Sequence, residues 1–358
     1  MLIPILYLMA TSIAPINPAA PSRQPQLAAA HGVVAMTFGS GTSIYLISSA
    51  DQARTWSMPA KVDKVGALAL GRHRGPRVAV LKDAIVVSAV AGEKKDAGAH
   101  AHGLPEAGNL LAWRSVDRGK SWKRAGAIND VPGSAREGLH AMVAGPDGSL
   151  FAAWLDLRVK GTQLYGSQSR DGGTTWSKNV AVYSSPEGTI CQCCHPTLTI
   201  DAPGRLWAMW RNAMNGSRDM YVSSSTDGLH FEAARKLGEG TWKLDACPMD
   251  GGGLLVEDGR ITSAWRRDGD IFLTEPGTAA ERKISAGKDV AVARSSKHET
   301  YLVWTRDGGV YALLPGATES LRLAKEGGFA TVIALEDVGV LTAWEAPRTV
   351  ETKRLDPR

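Results

Sequence analysis

The chain is expected to fold as a single all-β propeller of seven blades. Two observations lead there. One strand–turn–strand unit recurs along the whole length, and a short turn motif punctuates its first two thirds. Glycine is plentiful at 39 residues, Trp outnumbers Phe by 11 to 5, and no long helical periodicity appears, so 358 residues read as one large all-β domain.

The unit is a short apolar strand, a turn, a strand often ending in Trp, then a strand often carrying Tyr. In chain order its last two strands read VVAMTFG with SIYLISS (33–49), AIVVSAV with NLLAWRS (84–115), and SLFAAWLDL with QLYGSQS (149–169). They continue as RLWAMWRNA with DMYVSSS (205–225), RITSAWRR with DIFLTE (260–275), ETYLVWTR with GVYALLP (299–315), and GVLTAWEA with TVETKRL (339–355). That makes seven units at blade spacing. The ladder Trp113, Trp154, Trp210, Trp265, Trp304 and Trp344 reads as packing between blades.

After four of these units comes the motif S-x-D-x-G-x-[ST]-W. Ser115–Trp122 and Ser169–Trp176 match it fully, Ser49–Trp56 has Ala53 for Gly, and Ser225–Phe231 is one residue short and ends in Phe. The Asp carboxylate accepts backbone N–H groups within the turn, Gly supplies a shape that L-residues resist, and the aromatic packs back. The four aspartates are therefore read as structural.

These spaced copies resemble the Asp-box repeats of the sialidase-like β-propellers, and the likeness runs over nearly the full chain. The resemblance implies six blades, whereas the repeat count gives seven; seven is taken. It also implies a site on one rim of the central channel, formed by the segments that lead into the innermost strands. A sialidase would need three arginines for a substrate carboxylate, a Tyr nucleophile partnered by Glu, and an Asp acid/base. Arg77 in Gly75-Pro76-Arg77-Val78 loosely resembles the first arginine's motif, with the proline on the wrong side, and Arg211 and Arg267 can supply the others. The nucleophile is missing. Only Tyr301 and Tyr311 follow Arg267, and both sit in repeat strands, as do Tyr45, Tyr165 and Tyr221. Exo-sialidase-like hydrolysis is kept as an alternative. Hydrolysis by two carboxylates, drawn from Glu137, Asp156 and Asp250, is another.

The unusual residues fall just ahead of four successive first strands. They are His73-Arg74-Gly75-Pro76-Arg77, Glu137-Gly138-Leu139-His140, Cys191-Gln192-Cys193-Cys194-His195-Pro196, and Asp245-Ala246-Cys247-Pro248-Met249-Asp250. All four cysteines belong to this set. Second-strand ends add Asp156 with Arg158, Arg211 with Asn212, and Arg266 with Arg267, all expected to face the funnel. On an extended strand Cys191, Cys193 and His195 share one face, with Cys194 opposite, and Pro196 favours extension at His195.

Thiolates and imidazole select Cu(I), Zn or iron–sulfur over Mg or Ca. The expected centre is copper, with zinc as the alternative, on Cys191, Cys193, Cys194, His195 and Cys247. His73, His140, Glu137 and Asp250 serve as outer or acid–base groups, and Arg77 and Arg211 hold a small anionic molecule or glycan. Its activity is expected to be metal-dependent redox chemistry. Disulfides, including one from Cys247 to the triplet, stay open as the structural reading, as does a non-catalytic glycan- or protein-binding module.

Residues 1–20, apolar and then small and Pro-rich, resemble an export signal with cleavage after Ala14 or Ala20, although no Lys or Arg precedes Arg23. The propeller is assigned to 21–358 and the protein to the periplasm or exterior. The apolar stretch is short for a span, so no stable membrane insertion is expected. The net charge of +5 is spread without basic blocks, which argues against a nucleic-acid role. A monomer is expected.

Overall fold

The computed structural model describes residues 10–13, 16, 18–95, 103–276, 278 and 280–356. They form seven antiparallel sheets arranged as a β-propeller. The innermost strands run Ser22–Ala30 (blade 1), Arg77–Val80 (2), His140–Ala144 (3), Thr197–Ile200 (4), Gly252–Glu257 (5), Lys288–Arg294 (6) and Gly328–Ala334 (7). Each contacts its two neighbours, and Ser22–Ala30 meets Gly328–Ala334, so the ring closes. The paired segments of the sequence repeat are the second and third strands of every blade.

Blade 7 takes its outer strand from the N-terminus, where Thr11–Ile13 pairs with Val350–Leu355. The propeller thus borrows a strand from the segment assigned to export. Ala14 lies outside the described residues; processing after Ala20 would leave blade 7 three-stranded.

Each ladder tryptophan sits in a hydrophobic cluster between successive blades. Trp113 fills the seam of blades 1 and 2, Trp154 that of 2 and 3, Trp210 that of 3 and 4, and Trp265, Trp304 and Trp344 the next three. Trp113 comes from a third strand, the others from second strands. Burying such large apolar rings supplies much of the inter-blade adhesion, about 25 cal/mol per Å² of apolar surface removed from water.

The four Asp turns are built alike. In blade 3, Asp171 Oδ1 accepts the N–H groups of Thr174 (3.0 Å) and Thr175 (2.9 Å), Oδ2 accepts the Thr175 hydroxyl at 2.6 Å, and Ser169 Oγ accepts the Gly173 N–H at 2.8 Å. Asp51, Asp117 and Asp227 are bonded in the same way. The terminal aromatic reaches further than its own hairpin: Trp122 and Trp176 pack into the seam with the preceding blade.

Candidate functional site

The lead-in segments of blades 2, 4 and 5 do converge, but they build two adjacent centres rather than one. The first is a thiol pocket. Cys191 is held beside the end of blade 4's second strand, its N–H donating to Arg211 O at 3.1 Å. The chain then turns through Gln192–Cys194 instead of running extended. This corrects the expected alternation: Cys194 joins Cys191 and Cys193, and His195 leaves them. The Sγ atoms lie 3.4 Å (Cys191–Cys194), 3.7 Å (Cys191–Cys193) and 3.9 Å (Cys193–Cys194) apart. All three are buried, with Met249 packed against them. No disulfide forms among the four cysteines.

Electrostatically the three thiols act as a unit. Hydrogen bonds from Cys193 and Cys194 lower the pKa of Cys191, opposed by burial and helped by the Arg211 charge. The Cys193 thiol is pushed up chiefly by its bond to Cys191, and that of Cys194 chiefly by burial. One thiolate therefore forms readily, and the next protons are held back by the first negative charge.

Cys247 is exposed and lies outside this triangle. It lines the mouth beside it, a cavity of about 270 Å³ that also touches Cys191, Gln192, Arg218 and Asp245.

The second centre lies on the axis. The innermost strand of blade 2 is split: Ala67–Leu68 and Arg77–Val80 both pair with Ile85–Gly92, and the chain between them leaves the sheet. A tight turn, closed by reciprocal bonds between Gly71 and Arg74, puts Arg72 (φ 52°) and His73 (φ 65°) in the left-handed region. Such two-residue turns prefer Asn or Gly, and here they carry His73 to the axis. Blades 1, 6 and 7 use a bulge instead, with Gln24 (φ 55°), Asp289 (φ 57°) and Phe329 (φ 53°) at equivalent places. Bulges re-aim side chains, and all three line the axial cavity.

His73 Nε2 lies 2.8 Å from Asp289 Oδ1. Its ring stacks on His195 (4.2 Å between centroids, 29°) and meets Phe329 edge-on at 5.1 Å. Gly251 permits this, because a Cβ there would stand 2.7 Å from both Cε1 and Nε2 of His195. Asp250 lies behind the pair, fully buried: Oδ2 accepts the Asp289 N–H at 2.9 Å, and Oδ1 has no partner among the described residues. Burial and the Asp289 carboxylate raise the pKa of Asp250. Burial pushes Asp289 up as well, but the bond to His73 and its charge bring it below the usual carboxylate range. Burial, then the charge of His73, holds His195 well below the ordinary imidazole value. The axial cavity of about 250 Å³ is polar at this end and lined deeper by Leu198, Leu254, Val292 and Val332.

Other expected site residues have different employment. Arg77 is buried, donating to the carbonyls of His140 (3.1 Å), Gly75 (3.1 Å), Pro76 (3.3 Å) and His73 (2.6 Å). Arg211, also buried, donates to those of Asp250 (2.9 Å), Arg218 (2.6 Å), Gly251 (3.4 Å) and Arg266 (3.0 Å). Both brace lead-in segments across blades, with most of their N–H groups already committed, so the expectation that they hold an anion is corrected. His140 is buried against Ser88 Oγ (3.0 Å), and burial, then the charge of Arg77, keeps it neutral. It lies outside both centres. Glu137 pairs with Arg74 at 3.7 Å.

Asp156 is buried between Trp154 Nε1 and Arg158. Arg158 and Arg267 lie over Tyr165 and Phe272, each 3.9 Å from the ring centroid, rather than facing the funnel, and Arg267 pairs with Glu281. Arg266 flanks Trp242 at 5.6 Å, and Asn212 donates to Tyr183 Oη at 2.9 Å. Among the described residues no tyrosine lines the axial cavity. Sequence reasoning missed Asp289, Phe329 and Gln24, and gave Met249 no role of its own within the segment it singled out. Following the lead-ins through blades 6, 7 and 1 would have reached the first three, and Asp289 stands out as an acid opening an apolar strand.

No protein-family model and no curated protein matches the chain. Solved structures do. A protein of unknown function from Dyadobacter fermentans shares 16% identity over 98% of this chain and 99% of its own, with a TM-score of 0.57. An α-L-arabinanase from Penicillium chrysogenum, complexed with arabinobiose, shares 13% over 98% of each chain at 0.56. An ulvan lyase representing a new polysaccharide lyase family shares 10% over 97% and 94% at 0.56. At such identities the likeness establishes the propeller architecture, spanned from end to end, and leaves the chemistry to the side chains.

Proposed function

We propose that the protein is a soft-metal protein whose ion is held by Cys191, Cys193 and Cys194, with copper as the ion that suits the site best. The spacing of the three sulfurs carries this reading. Metal–sulfur bonds of about 2.3 Å set ligand sulfurs about 3.7–4.0 Å apart around one ion, and the thiol triangle has edges of 3.4, 3.7 and 3.9 Å. Three thiolates select Cu(I) or Zn(II) over harder ions. The buried Arg211 and Arg74 lie near enough to favour negative sulfur. Three protein ligands leave a further coordination position, as in metal sites that act on a substrate. The mouth shared by Cys191, Cys247 and Arg218 gives access, and Arg218 takes over the anion-holding role first assigned to Arg77 and Arg211. With copper the centre carries one electron between Cu(I) and Cu(II); with zinc it does not.

Metal analysis of the purified chain after reconstitution under reducing conditions tests this. About one copper per chain is expected, falling at least tenfold in Cys193→Ser while Cys247→Ser retains most of it. Wild-type protein with free thiols and no bound copper or zinc would overturn the reading.

A second reading is carbohydrate processing at the axis, supported by the polar mouth of the axial cavity and by neighbours named as an arabinanase and an ulvan lyase. Turnover of a glycan, unchanged in Cys193→Ser and lost in His73→Gln, would favour it over the metal reading.

A further inference from the structure

We infer that the axial centre binds a second cation of different character, a divalent ion of the Mn(II) kind, through His73, Asp250 and Asp289. Each of these residues brings one ligand atom within 4.8 Å of the other two. Bonds of about 2.1 Å place ligand atoms around a single ion about 3–4 Å apart, so small adjustments close the site. One of the contacts, His73 Nε2 to Asp289 Oδ1, is already 2.8 Å.

Asp250 supplies the independent observation. Its side chain is fully buried, and among the described residues nothing donates to Oδ1. A buried carboxylate oxygen without a partner is costly. A proton on that oxygen does not resolve the problem, because it would itself need an acceptor. A cation satisfies Oδ1 directly.

The charge also balances. Two carboxylates and a neutral imidazole offset a divalent ion, whereas without one two acidic groups are crowded together behind a histidine. Of the nearby cations, Arg211 and Arg77 are committed to backbone carbonyls, and Lys288 acts on Asp289 through its charge alone. The donor set of one nitrogen and two carboxylates suits first-row divalent ions, and it differs in kind from the thiol triangle. His73 and Asp289 both line the axial cavity, so remaining coordination positions open toward it. The lead-ins of blades 4 and 5 connect the two centres covalently: Cys194 precedes His195, and Met249 precedes Asp250. The inference stands apart from the thiol reading, since Mn(II) has little affinity for thiolates.

Titration of the chelator-stripped full chain with Mn(II), followed by loss of the free-ion electron paramagnetic signal, tests it. One Mn(II) per chain is expected in wild type and in Cys193→Ser, with affinity weakened at least about tenfold in Asp250→Asn and Asp289→Asn. Should those variants misfold, wild-type protein suffices. Bound Mn(II) should broaden the ring resonances of His73 and His195 and spare the exposed His230 and His298. Absence of a Mn(II) site in wild type, equal binding by both Asn variants, or broadening confined to the exposed histidines would overturn the inference. Loss in Cys193→Ser alone would do so too.

Discussion

Single residues at the rim divide by whether their polar atoms are already committed. Arg211 shows the point. A planar guanidinium reaches four carbonyls belonging to three segments of blades 4 and 5, which a lysine ammonium cannot span. Arg211→Lys is expected to lower stability by about 2–4 kcal/mol in urea unfolding and to loosen the thiol triangle beside it. An unchanged midpoint would show that the bracing is unimportant. From sequence, an arginine at a propeller rim looks like an anion holder, and the same chemistry serves to tie backbone. Only the carbonyls around it tell these uses apart, and no local pattern announces them. His140 illustrates the same limit: the repeat places it correctly at a strand start, yet its ring turns into the core.

Elements were legible where period and turn chemistry agree. The second and third strands of all seven blades, and the seams filled by the tryptophans, follow from alternation and repeat spacing. The cysteine segment is the exception, because Pro196 favours extension only at its last member, His195. Residues Gln192–Cys194 turn instead, and the turn brings three sulfurs together. The Asp turns carry a pH dependence of their own. Burial is the largest single influence on Asp171 and opposes its ionisation, but the bonds from Thr175, Ser169 and Thr174 together outweigh it and lower its pKa from 3.8 to about 2. A depressed folded-state pKa means stability that is present above the unfolded value and lost as pH falls through the folded one. Asp171→Ala is therefore expected to cost about 1–2 kcal/mol at pH 7, with the gap to wild type narrowing between about pH 4 and pH 2. Thermal unfolding across that range checks it, and a gap that widens in acid would refute the turn's role.

The whole molecule is a ring whose central channel gathers segments from distant parts of the chain, closed by an N-terminal strand on blade 7. Its closure explains why residues about 55 to 65 positions apart become neighbours. It also explains why Asp289 was overlooked: its significance comes only from facing His73 across the axis. The central claim is that Cys191, Cys193 and Cys194 act together on one soft ion, and X-ray absorption at the metal edge of the copper-loaded chain tests it most directly. Three sulfur scatterers at about 2.3 Å are expected, with that shell depleted in Cys193→Ser. A first shell of nitrogen and oxygen, or one unaffected by the substitution, would contradict the account.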